Sequence, residues 1–211
     1  MSTDVIKISL SLIKKPSGIE CKHVYSIDSY EVCITDDSYI VYDKVSAEHD
    51  AERVLDKIRE RIGRALLSEK RHPSIVLKEV PEKYRYIVQR QFFGYGVLEP
   101  FFLDDDIIDV HSICRSDEKC QLQVLHRRFG RLKTNIAPSF DEVREIIMRM
   151  GSLAGKTISE AKPLHSFIEP VHESRVSVVY HSDITLRKLM SIDIRKQPKK
   201  PWTILKLIDL G

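Results

Sequence analysis

No apolar run in this 211-residue chain approaches the roughly 20 residues that a membrane-crossing helix needs. The opening MSTDVIKISLSLIKK also lacks the long apolar core and small-residue cleavage site of a secretory signal. Together these absences lead to the expectation of a cytoplasmic chain. Cys21, Cys33, Cys114 and Cys120 include no CxxC spacing, so the usual zinc signature is missing. His165, His172 and His181 lack the i, i+4 spacing of a helical metal pair, and no nucleophile–base constellation stands out. The expectation is no metal and no catalytic residue within the chain. Glycine is sparse, and neither glycine cluster makes a phosphate loop. GYG (94–96) has no third glycine and no preceding strand, so it reads as a tight turn. GSLAGKT (151–157) has three residues between its glycines where a phosphate loop has four. It also ends an expected helix instead of opening one, so it reads as a helix cap and loop. A net charge of +3 is too small to indicate nucleic acid by itself.

What is present is a soluble composition, 42% hydrophobic and 31% charged, with no disorder signature. Two short runs near the C-terminal end carry the chemistry. Arg175–Tyr180 and Ile184–Arg195 read as strands: Val176, Val178 and Tyr180 share one face of the first, and Ile192 and Ile194 keep period two in the second. Each run ends in an arginine, Arg175 at the start and Arg195 at the finish. Two reading frames stand side by side. The arginines are solvated strand ends, or they are a stiff two-pronged clamp for phosphate, whose oxygens a guanidinium matches two at a time. From Leu186 to Lys206 the chain is locally basic, a candidate anion-facing edge.

The remaining elements follow from pattern. Tyr30–Ile34 and Tyr39–Tyr42, joined by Asp36-Asp37-Ser38, predict a β-hairpin. Ser46 is the candidate N-cap of an amphipathic helix of about six turns through Leu66. RHPSIVLKEVP (71–81) is a candidate subdomain boundary. Pro81 opens a second helix over 82–92. LDDDIID (103–109) reads as a turn into a strand, because three adjacent acids on a strand do not share a direction. Strands at 107–113, 121–127 and 131–136 form an antiparallel meander. Ser139 and Glu142 make a capping box for a helix that Gly155 stops. Cys114 and Cys120 flank the turn RSDEK and could sit cross-strand, with reduced thiols expected in an ordinary cytoplasm and a bridge the alternative in a hyperthermophile.

From about Lys83 to Gly211 the chain resembles the N-terminal region of type II/type IV secretion ATPases, the traffic ATPases, and within them the archaeal branch that drives archaellum, pilus and secretion machines. The matching pieces are YRYIVQRQFFGYGVLEPFFLDDDIIDV, VLHRRFGRLKTNI, GKTIS, AKP, SRVSVVY, DIT and SIDIRK, in that order. The resemblance implies an α+β fold: a PAS-like antiparallel sheet with flanking helices over 81–196, a β-hairpin and helix subdomain over 1–80, and a linker over 197–211 toward a RecA-like ATPase domain. It also implies a homo-hexameric cytoplasmic motor held peripherally at the membrane by a polytopic platform protein. In the family, arginines of the last N-terminal strands reach the phosphates of ATP, bound with Mg by the ATPase domain. The matching positions are Arg175 and Arg195, with Arg187 a weaker match between them. The Walker motifs, acidic box and histidine box of the family are absent, so this chain alone is expected to bind no cofactor and to hydrolyse nothing. A different class of function, a nucleic-acid-binding adaptor of a DNA-uptake or conjugation machine, would use the 186–206 edge, where Trp202 is joined by few other aromatics. A PAS-type small-molecule sensor is a third reading and rests on fold analogy alone.

Overall fold

Period-two patterning from residue 107 onward builds most of a nine-stranded sheet in a computed structural model that describes residues 10–65, 72–182 and 189–197. The strands are β1 (His23–Ile27), β2 (Tyr30–Ile34), β3 (Ser38–Asp43), β4 (Ile107–Arg115), β5 (Gln121–His126), β6 (Gly130–Thr134), β7 (Leu164–Ile168), β8 (Arg175–Val179) and β9 (Leu189–Arg195). Their order is β1-β2-β3-β6-β5-β4-β9-β8-β7. Every pairing is antiparallel except that of β3 with β6, through which the N-terminal strands extend the sheet. The fold is therefore mixed α+β with an open, mostly antiparallel sheet.

The helices are α1 (Ala51–Gly63), α2 (Pro73–Lys78), α3 (Glu82–Phe92), α4 (Glu99–Leu103) and α5 (Phe140–Leu153). The apolar stripe of α5 (Val143, Ile146, Ile147 and Met150) packs with Val110, Val124, Leu132, Val176, Val178, Ile192 and Ile194 in the main core. A second core joins α1, α2 and α3 through Leu55, Ile58, Ile62, Val76, Tyr84 and Ile87. In β5, β8 and β9 the residues of opposite parity are exposed or half-buried and leave one face open, whereas β2 and β3 are buried on both faces.

Several expectations hold in detail. α3 runs over 82–92, and Ser139 caps α5 by accepting from Glu142 N–H at 3.2 Å while Glu142 accepts from Ser139 N–H at 2.8 Å. Gly96 (φ 58°) and Gly155 (φ 67°) both adopt left-handed backbone, which suits a residue without Cβ. GSLAGKT closes α5, and Lys156 N–H bonds back to Gly151 C=O at 2.8 Å.

Others need correction. α1 has 13 residues, and Asp50, not Ser46, precedes its first turn; Lys44–Ala47 instead forms a 3₁₀ turn. The 71–81 stretch, the candidate boundary, carries a short helix of its own, α2, whose Val76 lies in the second core. The expectation of reduced thiols fails: Cys21–Cys33 and Cys114–Cys120 are disulfides, with Cα atoms 5.3 and 4.5 Å apart. Sheet pairing brings each couple within bridging reach. The Cys21–Cys33 link closes a loop with a sequence separation of 12 and ties the segment before β1 to β2. Replacing both cysteines by serine should lower stability by about 2–3 kcal/mol, read as an earlier urea midpoint under non-reducing conditions. An unchanged midpoint would mean the bridge adds nothing.

Among the described residues no helix is long and apolar enough to cross a membrane.

Candidate functional site: an arginine-bearing sheet face

Strand parity alone decides where the two arginines go. Val176 and Ile194 are cross-strand partners and point into the core, so their neighbours Arg175 and Arg195 point to the open face. In the antiparallel β8–β9 pair the start of one strand lies against the end of the other, and Arg175 and Arg195 are directly opposite. Cβ atoms of such a pair lie about 5 Å apart, so the two guanidiniums share one neighbourhood. Like charges face each other here, an arrangement that destabilises a sheet unless an anion answers it.

Part of that answer is intramolecular. Asp109 of β4 is the other cross-strand partner of Arg195. Its Oδ1 accepts from Arg195 Nε at 2.9 Å and its Oδ2 from Nη2 at 3.3 Å. The carboxylate pushes the guanidinium's pKa further above its already high value. Arg195 nonetheless keeps 74% of its side chain exposed. Arg175 Nε donates to Ser166 Oγ at 3.3 Å.

The same register row continues across the sheet through Leu125 to Arg131 on one side and to Ile168 on the other. The next row holds Lys133, Gln123, His111, Asp193, Ser177 and Ser166. His111 Nδ1 is hydrogen-bonded to Asp193 Oδ1. Asp109, His111, Arg131, Arg175, Asp193 and Arg195 line a half-open groove of about 550 Å³ on this face. Arg131, its third guanidinium, was not singled out from sequence. Period-two alternation along β6 would have put it opposite Leu132, and the meander order would have put it on the same face as Arg195.

The turn before Arg175 is built around a buried carboxylate. Glu169 is fully buried and accepts from the backbone N–H groups of Val171 (2.9 Å), His172 (3.1 Å) and Ser174 (2.8 Å), and from Tyr95 Oη–H (2.7 Å). Burial first, and Glu169 second, hold the Tyr95 phenol well above its usual pKa. His172 stacks on Phe102 with ring centroids 4.5 Å apart and brings Nε2 to 2.9 Å from Glu99 Oε1, while Glu99 accepts from Tyr95 N–H at 2.8 Å. The GYG turn therefore does structural work: it hands Tyr95 to the hairpin that presents Arg175.

LDDDIID resolves into three different environments. Asp104 is buried and accepts from Tyr25 Oη–H (2.7 Å), Tyr39 Oη–H (2.8 Å) and Asp106 N–H (2.9 Å). Tyr25 Oη also meets His126 Nε2 at 3.1 Å, and His126 Nδ1 accepts from Arg128 N–H at 3.1 Å. That last bond leaves the proton on Nε2 in the neutral ring, and burial lowers the His126 pKa in the same sense. Asp105 is exposed, and Asp106 pairs with Arg128 at 3.2 Å. His165, His172 and His181 do not converge. Of the basic run 186–206, Lys196 donates through Nζ to Phe101 C=O at 2.9 Å. Arg187, Lys199, Lys200, Trp202 and Lys206 lie outside the described residues.

No family model matches the chain. An uncharacterized protein of Methanocaldococcus jannaschii, MJ0900, is 31% identical over 137 residues, which is 64% of this chain and 24% of that protein. The crystal structure of the VirB11 ATPase from the Brucella suis type IV secretion system, in complex with sulphate, is similar at a TM-score of 0.43 and 17% identity, over 54% of this chain and 32% of that one. The chain thus spans about a quarter of the length of the curated archaeal protein it matches and about a third of the solved one.

Proposed function

We propose that this chain is the N-terminal regulatory and assembly module of a hexameric traffic ATPase, serving a secretion, pilus or archaellum machine. Arg175 and Arg195 contact the phosphates of ATP held, with Mg, by a RecA-like domain outside this chain, and Arg187 joins them. The supporting observation is the register of β8 on β9, which sets the two motif arginines side by side on an open face. Residues 81–196 act as the PAS-like domain, 1–80 as a preceding subdomain and 197–211 as the connection toward the ATPase domain. A guanidinium mounted on one body and touching a phosphate held by another makes closure of the two depend on the nucleotide. A polytopic platform protein at the cytoplasmic face of the membrane receives that motion. The chain itself supplies binding and positioning, with no catalytic group of its own.

The chain's own share of this is measurable. Inorganic triphosphate titrated into the 211-residue chain should shift the amide signals of β8 and β9, more weakly as salt rises. Arg175→Ala or Arg195→Ala should each weaken that binding about ten-fold, the value of a charge-assisted bond pair. Equal affinity in both variants and the native chain would remove the clamp. Preference for a DNA oligonucleotide over triphosphate, insensitive to both substitutions, would replace it with the nucleic-acid adaptor.

A further inference from the structure

We infer that Asp109 is the positioning residue of this clamp: it holds the Arg195 guanidinium side-on so that its outer edge faces the incoming phosphate. The inference rests on the clamp proposed above and adds a residue that the motif arginines did not identify.

The fork geometry carries it. A guanidinium has two edges able to grip a two-oxygen anion, one made by Nε and one Nη, the other by the two Nη groups. Asp109 takes the first, with Oδ1 on Nε and Oδ2 on Nη2. Among the described residues Nη1 meets no acceptor, and 74% of the side chain remains in solvent. The carboxylate is 26% exposed and is set into the sheet behind the arginine. It therefore leaves the terminal edge available and stops the long side chain from wandering.

The backbone shows why Asp109 is aimed this way. Ile107 pairs with His126 and Asp109 with Leu125, so one extra residue, Ile108, is accommodated as a bulge. Ile107 and Val110 are buried, and the bulge reverses the parity between them, turning Asp109 to the open face. Lys196 N–H bonds to Ile108 C=O at 2.9 Å, tying the bulge to the residue after Arg195. Bulge, carboxylate and arginine are one local assembly.

Two opposed effects of Asp109 on an anion have to be separated. Its charge repels phosphate, whereas its grip on Arg195 removes rotamer freedom before phosphate arrives, which binding would otherwise have to remove. A thermodynamic cycle isolates the second, because the repulsion acts whether or not Arg195 is present. Triphosphate dissociation constants are measured for the native chain, Asp109→Ala, Arg195→Ala and the double variant at about 0.15 M salt, where the Debye length is about 8 Å. With arginine absent, Asp109→Ala should tighten binding by relieving repulsion. With arginine present, the same substitution should be about three- to ten-fold less favourable, the range for ordering one long side chain. The native chain should also show a slowly exchanging Arg195 Nε–H signal that is lost in Asp109→Ala. Identical factors in both backgrounds, or a larger gain with arginine present, would overturn the positioning role. If instead Arg195→Ala leaves triphosphate affinity unchanged while the native chain still shows the Nε–H signal, the pairing stands and the clamp itself is what has failed. Circular dichroism of each variant checks that the sheet is intact.

Discussion

Asp43→Asn is expected to lower the unfolding free energy by about 3–5 kcal/mol, the cost of stranding a buried charge. Asp43 and Arg90 have 0% and 3% of their side chains exposed, and their nearest contact is 2.8 Å. The carboxylate also accepts from Ile13 N–H at 2.6 Å, and Arg90 donates to Ser11 C=O and, at 3.4 Å, to Tyr30 Oη. Burial by itself would pull the guanidinium pKa down, but Asp43 and Tyr30 outweigh it and the net direction is up. Burial pushes Tyr30 up to about 12. This cluster joins β3 to α3 and holds the segment before β1 in place, so it locks the second core onto the sheet. A loss of that size is a large fraction of a stability of about 5–15 kcal/mol. Asp43→Leu combined with Arg90→Met should recover part of it, since no lone charge remains, although Ile13 N–H and Ser11 C=O still lose their partner. Urea denaturation measures both. An Asp43→Asn variant within 1 kcal/mol of native would show that water reaches the pair.

Glu169→Ala is the second large effect, and it reaches the candidate site. Removing the carboxylate strands Tyr95 Oη–H and the N–H groups of Val171, His172 and Ser174. Each unsatisfied buried donor costs about 1–3 kcal/mol, and water entering the gap recovers some of that, so a loss of about 3 kcal/mol is expected. Glu173 sits in the same turn at φ 56°, a conformation the carboxylate's bonds help to maintain. Without them the turn should open, and amide exchange at 171–174 should accelerate well beyond the global change in stability. Arg175 follows that turn directly, so triphosphate affinity should fall as well. Tyr95→Phe removes only one of the four donors, and its smaller loss calibrates the larger one.

How much of this was legible in the sequence depends on how local the cause is. α3, the capping box of α5, the left-handed Gly155 and the β2–β3 hairpin follow from residues within a few positions of one another, and each was readable. The placement of Arg175 against Arg195 needed only one further step, because the first residue of one antiparallel strand meets the last of the next. β1 and β7 escaped notice because HVYSI and LHSFI are short and lie at the two sheet edges, with little apolar alternation to mark them. Only the start of the helix expected from Ser46 was misplaced: Lys44–Ala47 forms a 3₁₀ turn whose Val45 joins the second core, α1 begins at Ala51, and Leu66 lies outside the described residues. Cys21 meets Cys33 only through a sheet register that spacing does not supply, whereas Cys114 and Cys120 were readable as cross-strand neighbours and only their oxidation was not. Asp43–Arg90, Glu169–Tyr95 and Asp109–Arg195 join residues 47, 74 and 86 positions apart, and nothing nearby in the chain announces any of them. Asp109 was hidden further by its bulge, since strict alternation from the buried Ile107 puts it in the core.

Arg175 and Arg195 are proposed to form together a preset seat for phosphate on the open sheet face. A structure of the chain with inorganic triphosphate bound tests it most directly. Phosphate oxygens should lie within about 3 Å of both guanidiniums, the distance of a charge-assisted bond, with Asp109 still on the inner edge of Arg195. Triphosphate seated elsewhere on the molecule, with both arginine side chains left in open solvent, would contradict it.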